Sequence, residues 1–384
     1  MQREDFLSLL IYFLMGALVI VVGVLVFRPA AADGYLFNDA RQNFLFLLVS
    51  LAIAIVFNIF ALQIGHLIGA KMGGYRILSI SFFGFIFYKV KTEEGNLKTK
   101  VRFGRSNSFG GQVEMAPKSL QSNPMPYIFV PFVLLLLQLV ALYFVFAFIK
   151  SVTDDDKVML MAVKYGVVVL ATIGACFIIY NFFPAKLDTL NDGYKIVLLN
   201  KKINIEAYNY GLMNDEIEYF GGEIKEIRTF DQITDFTARV NLKASIQEII
   251  NDNYQKAEEI INFNMSEAKK MSNSTYRKFL LLNSYFVYLT KSEEEALTYY
   301  QEKIIKADLG DGVRNCKTYD SLRLYVAYVG ITEKSINEIK FALEKKKKRD
   351  KNEDKGEIEK QNKLLKKIID KIALELPEAA EIEI

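Results

Sequence analysis

The chain has 384 residues, 51% of them hydrophobic, a mean hydropathy of +0.14, and Phe (29) and Tyr (21) as its only aromatics. Its 48 basic and 45 acidic residues nearly balance, which argues against a strongly basic nucleic-acid binder. Two Cys and one His exclude a disulfide framework and any Cys/His-rich zinc site built within this chain.

The apolar residues concentrate in the first half. Residues 6–27, 44–70, 127–149 and 165–183 are four uncharged runs, each long enough as a helix to cross a hydrocarbon core of about 30 Å. Lipid offers no partner to an open backbone, so these runs are predicted to be transmembrane helices. Between the second and third runs nine basic residues face Glu93, Glu94 and Glu114, whereas Asp154, Asp155 and Asp156 dominate between the third and fourth. Basic short loops stay in the cytoplasm, so both termini are predicted to be cytoplasmic in a multi-pass protein of the cell membrane. The first run lacks a basic n-region and is too long for a signal h-region, so it is expected to be retained.

After the second run, Ile77 to Val90 is rich in Ile, Phe and Tyr, and Lys98 to Phe103 alternates. Glu93-Glu94-Gly95-Asn96 between them is turn chemistry, so residues 77–103 are predicted to form a β-hairpin. From Asp192 onward the composition is that of a soluble protein. Tyr194 to Tyr210 reads as an amphipathic helix, followed by a connector to residue 240. Residues 241–384 carry helical periodicity, as in Tyr276, Phe279, Leu280 and Tyr285, or Leu322, Tyr325, Val326 and Val329. The expected fold class is therefore mainly α: a polytopic membrane helix bundle over 1–193 with a β-hairpin insertion, and a C-terminal cytoplasmic α-helical domain compatible with helical-hairpin repeats. The run Lys345 to Lys351 reads as a solvated helix face.

The second apolar run ends in Leu62-Gln63-Ile64-Gly65-His66, and the fourth in Asn181-Phe182-Phe183-Pro184, followed by Asp188 and Asp192-Gly193. Polar groups at such depth suggest a functional site or a helix-packing hydrogen bond, and the topology puts both clusters at one membrane side. The order of these parts resembles the site-2 protease family of intramembrane zinc metallopeptidases. That family carries His-Glu-x-x-His on one membrane helix, then a β-hairpin, then Asn-x-x-Pro and Asp-Gly on a later helix. The resemblance spans about residues 45 to 195 and has no counterpart for the helical tail.

On this resemblance His66 is the second zinc-binding histidine, and Asp192, with Asp188 as a nearby substitute, is the third ligand. Leu62 stands at the first histidine and Gln63 at the general base. Leucine offers no lone pair, and an amide does not accept the proton of a metal-bound water as a carboxylate does. No cofactor is therefore expected, although the family uses zinc. The implied function is that of a catalytically inactive pseudoprotease, which binds a membrane protein or peptide client through Gln63, His66, Asn181 and Pro184. Its cytoplasmic helical domain would recruit a protein partner, and no nucleic acid is expected. Two other readings are an intramembrane metallopeptidase using His66, Asp192, Asp188 and water, and a subunit of a membrane transport or peptide-export complex. No Gly-x-x-x-x-Gly-Lys-Ser/Thr loop is present, so any nucleotide motor would be another chain.

Overall fold

All four uncharged runs fold as helices long and apolar enough to cross a membrane, over Leu9–Ala30, Arg41–Met72, Met125–Val152 and Leu160–Phe182. The computed structural model describes residues 3–32, 39–92, 95–104, 111–152, 158–185, 191–351, 353 and 355–384. Helix α1 (Arg3–Val22) continues through one π-helical stretch, Gly23–Phe27, into α2 (Arg28–Ala32). Helix α3 (Ala40–Met72) begins where the Asp39 carboxylate accepts from the Arg41 N–H at 2.9 Å. It ends at Gly73-Gly74, where Gly74 has φ +84°, a left-handed conformation that glycine adopts without strain.

Helices α4 (Met125–Val152) and α5 (Val158–Phe182) both pack on α3. One polar knot joins the three. Buried Asn58 of α3 donates to the Leu170 carbonyl of α5 at 3.3 Å and accepts from Gln138 of α4 at 2.9 Å. Among apolar surfaces such interhelical bonds fix register, because no competing water is at hand.

Between α3 and α4 lies a four-stranded sheet: β1 (Tyr75–Phe82), β2 (Phe85–Lys91), β3 (Leu97–Phe103) and β4 (Gln112–Pro117), in the order β3-β2-β1-β4. Strand β1 pairs antiparallel with both β2 and β4. This corrects the expected hairpin over 77–103. Its long apolar arm is folded in two at Phe83-Gly84, whose φ values are 45° and 88°, with Phe82 opposite Phe85. Two consecutive left-handed residues make the tight turn whose twist matches that of the strands it joins. The expected turn after β2 closes through the Thr92 N–H to the Asn96 carbonyl and through Gly95 at φ +81°; Glu93 and Glu94 lie outside the described residues, as do Asp154–Asp156.

Beyond α5, the expected single helix over Tyr194–Tyr210 is two helices, α6 (Asp192–Leu199) and α7 (Lys202–Tyr219). The break is held by Asn204, whose amide donates to the Leu198 carbonyl at 2.6 Å and so completes the end of α6.

The chain divides into two units, Met1–Lys89 with Thr99–Ile205, and Val90–Lys98 with Glu206–Ile384. The second unit is helical. It holds α8 (Asp235–Ile250), α9 (Tyr254–Ser266), α10 (Asn273–Thr290), α11 (Glu293–Tyr299), α12 (Gly310–Arg314), α13 (Tyr319–Ile331), α14 (Ile336–Asp350) and α15 (Lys355–Ala373). Side-chain caps start several of these: Thr234 and Thr237 form a reciprocal capping box at α8, as do Ser292 and Glu295 at α11. The periodic residues of the tail form its core, with Phe279, Tyr285, Leu322, Val326, Leu364 and Ile368 fully buried together.

Candidate functional site

The site is built from a proline outward. Pro131 lies inside α4, and a proline there has no N–H to give the carbonyl four residues back, which belongs to Tyr127. His66 of α3 takes that carbonyl instead: its Nδ1 is 3.0 Å from Tyr127 O, and the two rings lie 4.6 Å apart. A carbonyl oxygen can only accept, so Nδ1 carries the hydrogen and Nε2 is left to face α6. Two glycines of α3 allow this approach. A Cβ at Gly65 would stand 2.4 Å from Pro131 Cα, and one at Gly69 would stand 2.1 Å from Pro126 O.

Asp192, the first residue of α6, meets the other face of the imidazole. His66 Nε2 is 3.5 Å from Asp192 Oδ2, and the opposite oxygen, Oδ1, accepts from Lys195 Nζ at 2.8 Å. Both His66 and Asp192 are buried. Burial alone would push the Asp192 carboxyl up, but the Lys195 ammonium, which also donates a hydrogen bond to it, outweighs this and holds the group below its ordinary 3.8. Helix α6 is seated tightly: a Cβ at Gly193 would come 2.2 Å from the Phe182 carbonyl oxygen.

Asn191 sets the position of Asp192. Its side-chain oxygen accepts from the N–H groups of Tyr194 at 2.9 Å and Ala185 at 3.3 Å, and its amide donates to the carbonyls of Tyr180 at 2.9 Å and Phe183 at 2.6 Å. It thus caps α6 and ties off the frayed end of α5 with one side chain. Replacing Asn191 by alanine is expected to destabilise the first unit by about 2–4 kcal/mol, from a lost cap plus stranded buried backbone groups. A thermal melt in detergent reads this as a larger loss than for Asn181→Ala, because the Asn181 amide returns to the Phe177 carbonyl of its own helix.

Gln63 points to the sheet. Its amide donates to the carbonyl of Gly111 at 3.2 Å, immediately before β4. Gly111 has φ +88°, and a Cβ there would stand 2.3 Å from the Ser81 carbonyl oxygen, so only glycine brings this carbonyl to Gln63. Leu62 is a buried apolar side chain one turn before His66. Pro184 is exposed at the end of α5, and Asp188 lies outside the described residues.

The structure therefore joins His66 to Asp192 and Gln63 to the sheet, and leaves Asn181 within α5. The separation of His66 Nε2 and Asp192 Oδ2, 3.5 Å, is close to that of two ligands on one tetrahedral zinc, about 3.4 Å for bonds of about 2.0–2.1 Å. Donation from Nδ1–H to a carbonyl is likewise how a zinc-binding histidine is held. A catalytic zinc needs a third protein ligand, and among the described residues no group of three His, Cys, Asp or Glu converges. His66 and Asp192 alone supply two of the three protein ligands that a catalytic zinc takes.

Sequence reasoning passed over Tyr127, Pro131, Asn191 and Lys195. A proline inside an apolar run and an asparagine before Asp-Gly were the available signals, the first for a freed carbonyl and the second for a helix cap. No protein-family model, curated protein or solved structure matches the chain.

Proposed function

We propose that the chain is a membrane pseudoprotease of the site-2 protease type, spanning the cell membrane with both termini in the cytoplasm. It holds a membrane protein or peptide client at the His66 site and the adjoining sheet without cutting it, and its cytoplasmic helical unit recruits a protein partner. One observation carries this reading: Gln63, at the place of the general base, is used as a hydrogen-bond donor to the Gly111 carbonyl. A carboxylate cannot donate and would be repelled by that oxygen, so the amide is suited to this structure rather than to activating water. An extended client segment has a means of attachment in strand addition to the sheet, where main-chain hydrogen bonds supply affinity and side-chain pockets supply selectivity.

The test is metal analysis of the purified full chain beside the Leu62→His, Gln63→Glu variant. The wild type is expected to carry no stoichiometric zinc. The variant is expected to gain it, because it adds a histidine one turn from His66 to the His66–Asp192 pair. Stoichiometric zinc in the wild type together with cleavage of a transmembrane peptide overturns the pseudoprotease reading. No zinc in the variant removes the likeness to the protease site.

A further inference from the structure

Helix α14 presents a basic face that the core does not use. Lys340, Lys347, Lys348 and Lys351 are exposed along it, one or two per turn, and Glu344 is the one exposed acidic residue among them. A second element packs beside it. Lys345 donates to the Asn315 carbonyl and Arg349 to those of Cys316 and Lys317, which seats the loop after α12 against α14. Arg314 at the end of α12 and Lys317 of that loop are exposed as well.

Two further acids of α14 are engaged elsewhere. Asp350 accepts from Tyr319 and Lys346, and Glu338 accepts from Tyr325. Amid the lysines Phe341 is 47% exposed, with the Lys345 ammonium 4.3 Å from its ring centroid. An exposed phenylalanine within a lysine cluster matches a bilayer surface, where lysines meet phosphate headgroups and an aromatic ring enters the interface.

We propose that the α14 face docks on an anionic phospholipid surface. Residues 194–384 carry 32 basic and 33 acidic residues, so the attraction is that of a local patch and not of a polycationic domain. Lysines predominate over arginines, which suits diffuse attraction to headgroups rather than bidentate readout of nucleic-acid bases. The same chain carries four helices long and apolar enough to cross a membrane, so a lipid surface lies within reach of its tether. The membrane reading enters only through that proximity, and neither client binding nor the His66 site is involved.

The full chain in nanodiscs of phosphatidylcholine alone is floated with vesicles of phosphatidylcholine, with or without roughly 30% phosphatidylglycerol. Flotation with the anionic vesicles only, abolished by high salt, is expected. Replacing Lys340, Lys347, Lys348 and Lys351 by glutamine should weaken the partition coefficient by about 600-fold, from about fivefold for each lysine. All four side chains are exposed, so the fold stays intact. An equal change of charge elsewhere, with glutamine at Lys269, Lys270, Lys303 and Lys306, should leave most of the flotation in place. Equal losses in the two variants overturn the proposal, as does equal flotation with neutral vesicles. Tighter, vesicle-resistant binding of an RNA oligonucleotide to the same face overturns it in favour of nucleic acid. If flotation fails while the zinc result holds, only the lipid docking is lost.

Discussion

Gly69→Ala is expected to destabilise the helix bundle and to disturb His66, although alanine is the better helix former. The gain in helix propensity is about 1 kcal/mol. Against it stands a methyl group 2.1 Å from the Pro126 carbonyl oxygen and 2.8 Å from Tyr127 Cα. Both neighbours are backbone at the first turn of α4, with no flexible side chain to swing aside, so overpacking of about 3 kcal/mol or more outweighs the gain. The Pro126–Tyr127 peptide that must move is joined through Tyr127 Cα to the next one, which carries the carbonyl bound by His66 Nδ1. Because His66 is the sole histidine, its ring nitrogens give unambiguous NMR signals, and Nδ1 is expected to shift as its acceptor is displaced. Gly16→Ala is the control, since nothing lies within 4 Å of a Cβ there. A melting temperature and a His66 spectrum for Gly69→Ala that match those of Gly16→Ala would refute this close packing of α3 on α4.

What the sequence carries and what it hides follow from the range of the interactions. The four long helices are legible because an uncharged run of such length has few alternatives, and the tail helices because their apolar residues recur at helical spacing. Pairing is less legible. Strand β4 is a short segment whose role emerges only beside β1, and the turn at Phe83-Gly84 hides in an apolar run because phenylalanine is a poor marker of a left-handed residue. In the site, the motif spacing leads to His66 and Asp192. The carbonyl that orients His66 lies 61 residues away, released by a proline four residues further on, and no local pattern links the two. Asn181 drew attention as part of a motif, whereas the bonds that seat α6 are made by Asn191, whose value rests on four backbone groups brought together only by the fold. The knot of Asn58 and Gln138 is of the same kind: each is one polar residue in an apolar run until the helices align them.

Asp320→Ala should be among the most damaging single changes in the helical unit, and Arg323→Met should be far milder. Arg323 of α13 has a side chain only 1% exposed. Its guanidinium donates to Asp320 Oδ1 and to Gln361 Oε1 of α15, each at 2.5 Å, and lies 5.6 Å from the Tyr285 ring centroid of α10. Arg323 therefore links three helices of the core, as Tyr285 does through its own hydroxyl bond to the Leu364 carbonyl. Removing Asp320 takes from the buried guanidinium the one carboxylate it hydrogen-bonds and leaves Glu357 as a more distant counter-charge, at a cost of about 3 kcal/mol. Methionine at 323 removes the charge together with its need for a partner and keeps much of the stem's packing, so the expected loss is about 1 kcal/mol. In the double variant Asp320→Ala, Arg323→Met, the penalty of the aspartate change should largely vanish, because no stranded cation remains. Amide hydrogen exchange in α13 and α15 of the full chain measures this locally. Additive losses in the double variant would mean that Asp320 does not compensate Arg323, and that the guanidinium is held by Gln361, the Tyr285 ring and the charge of Glu357.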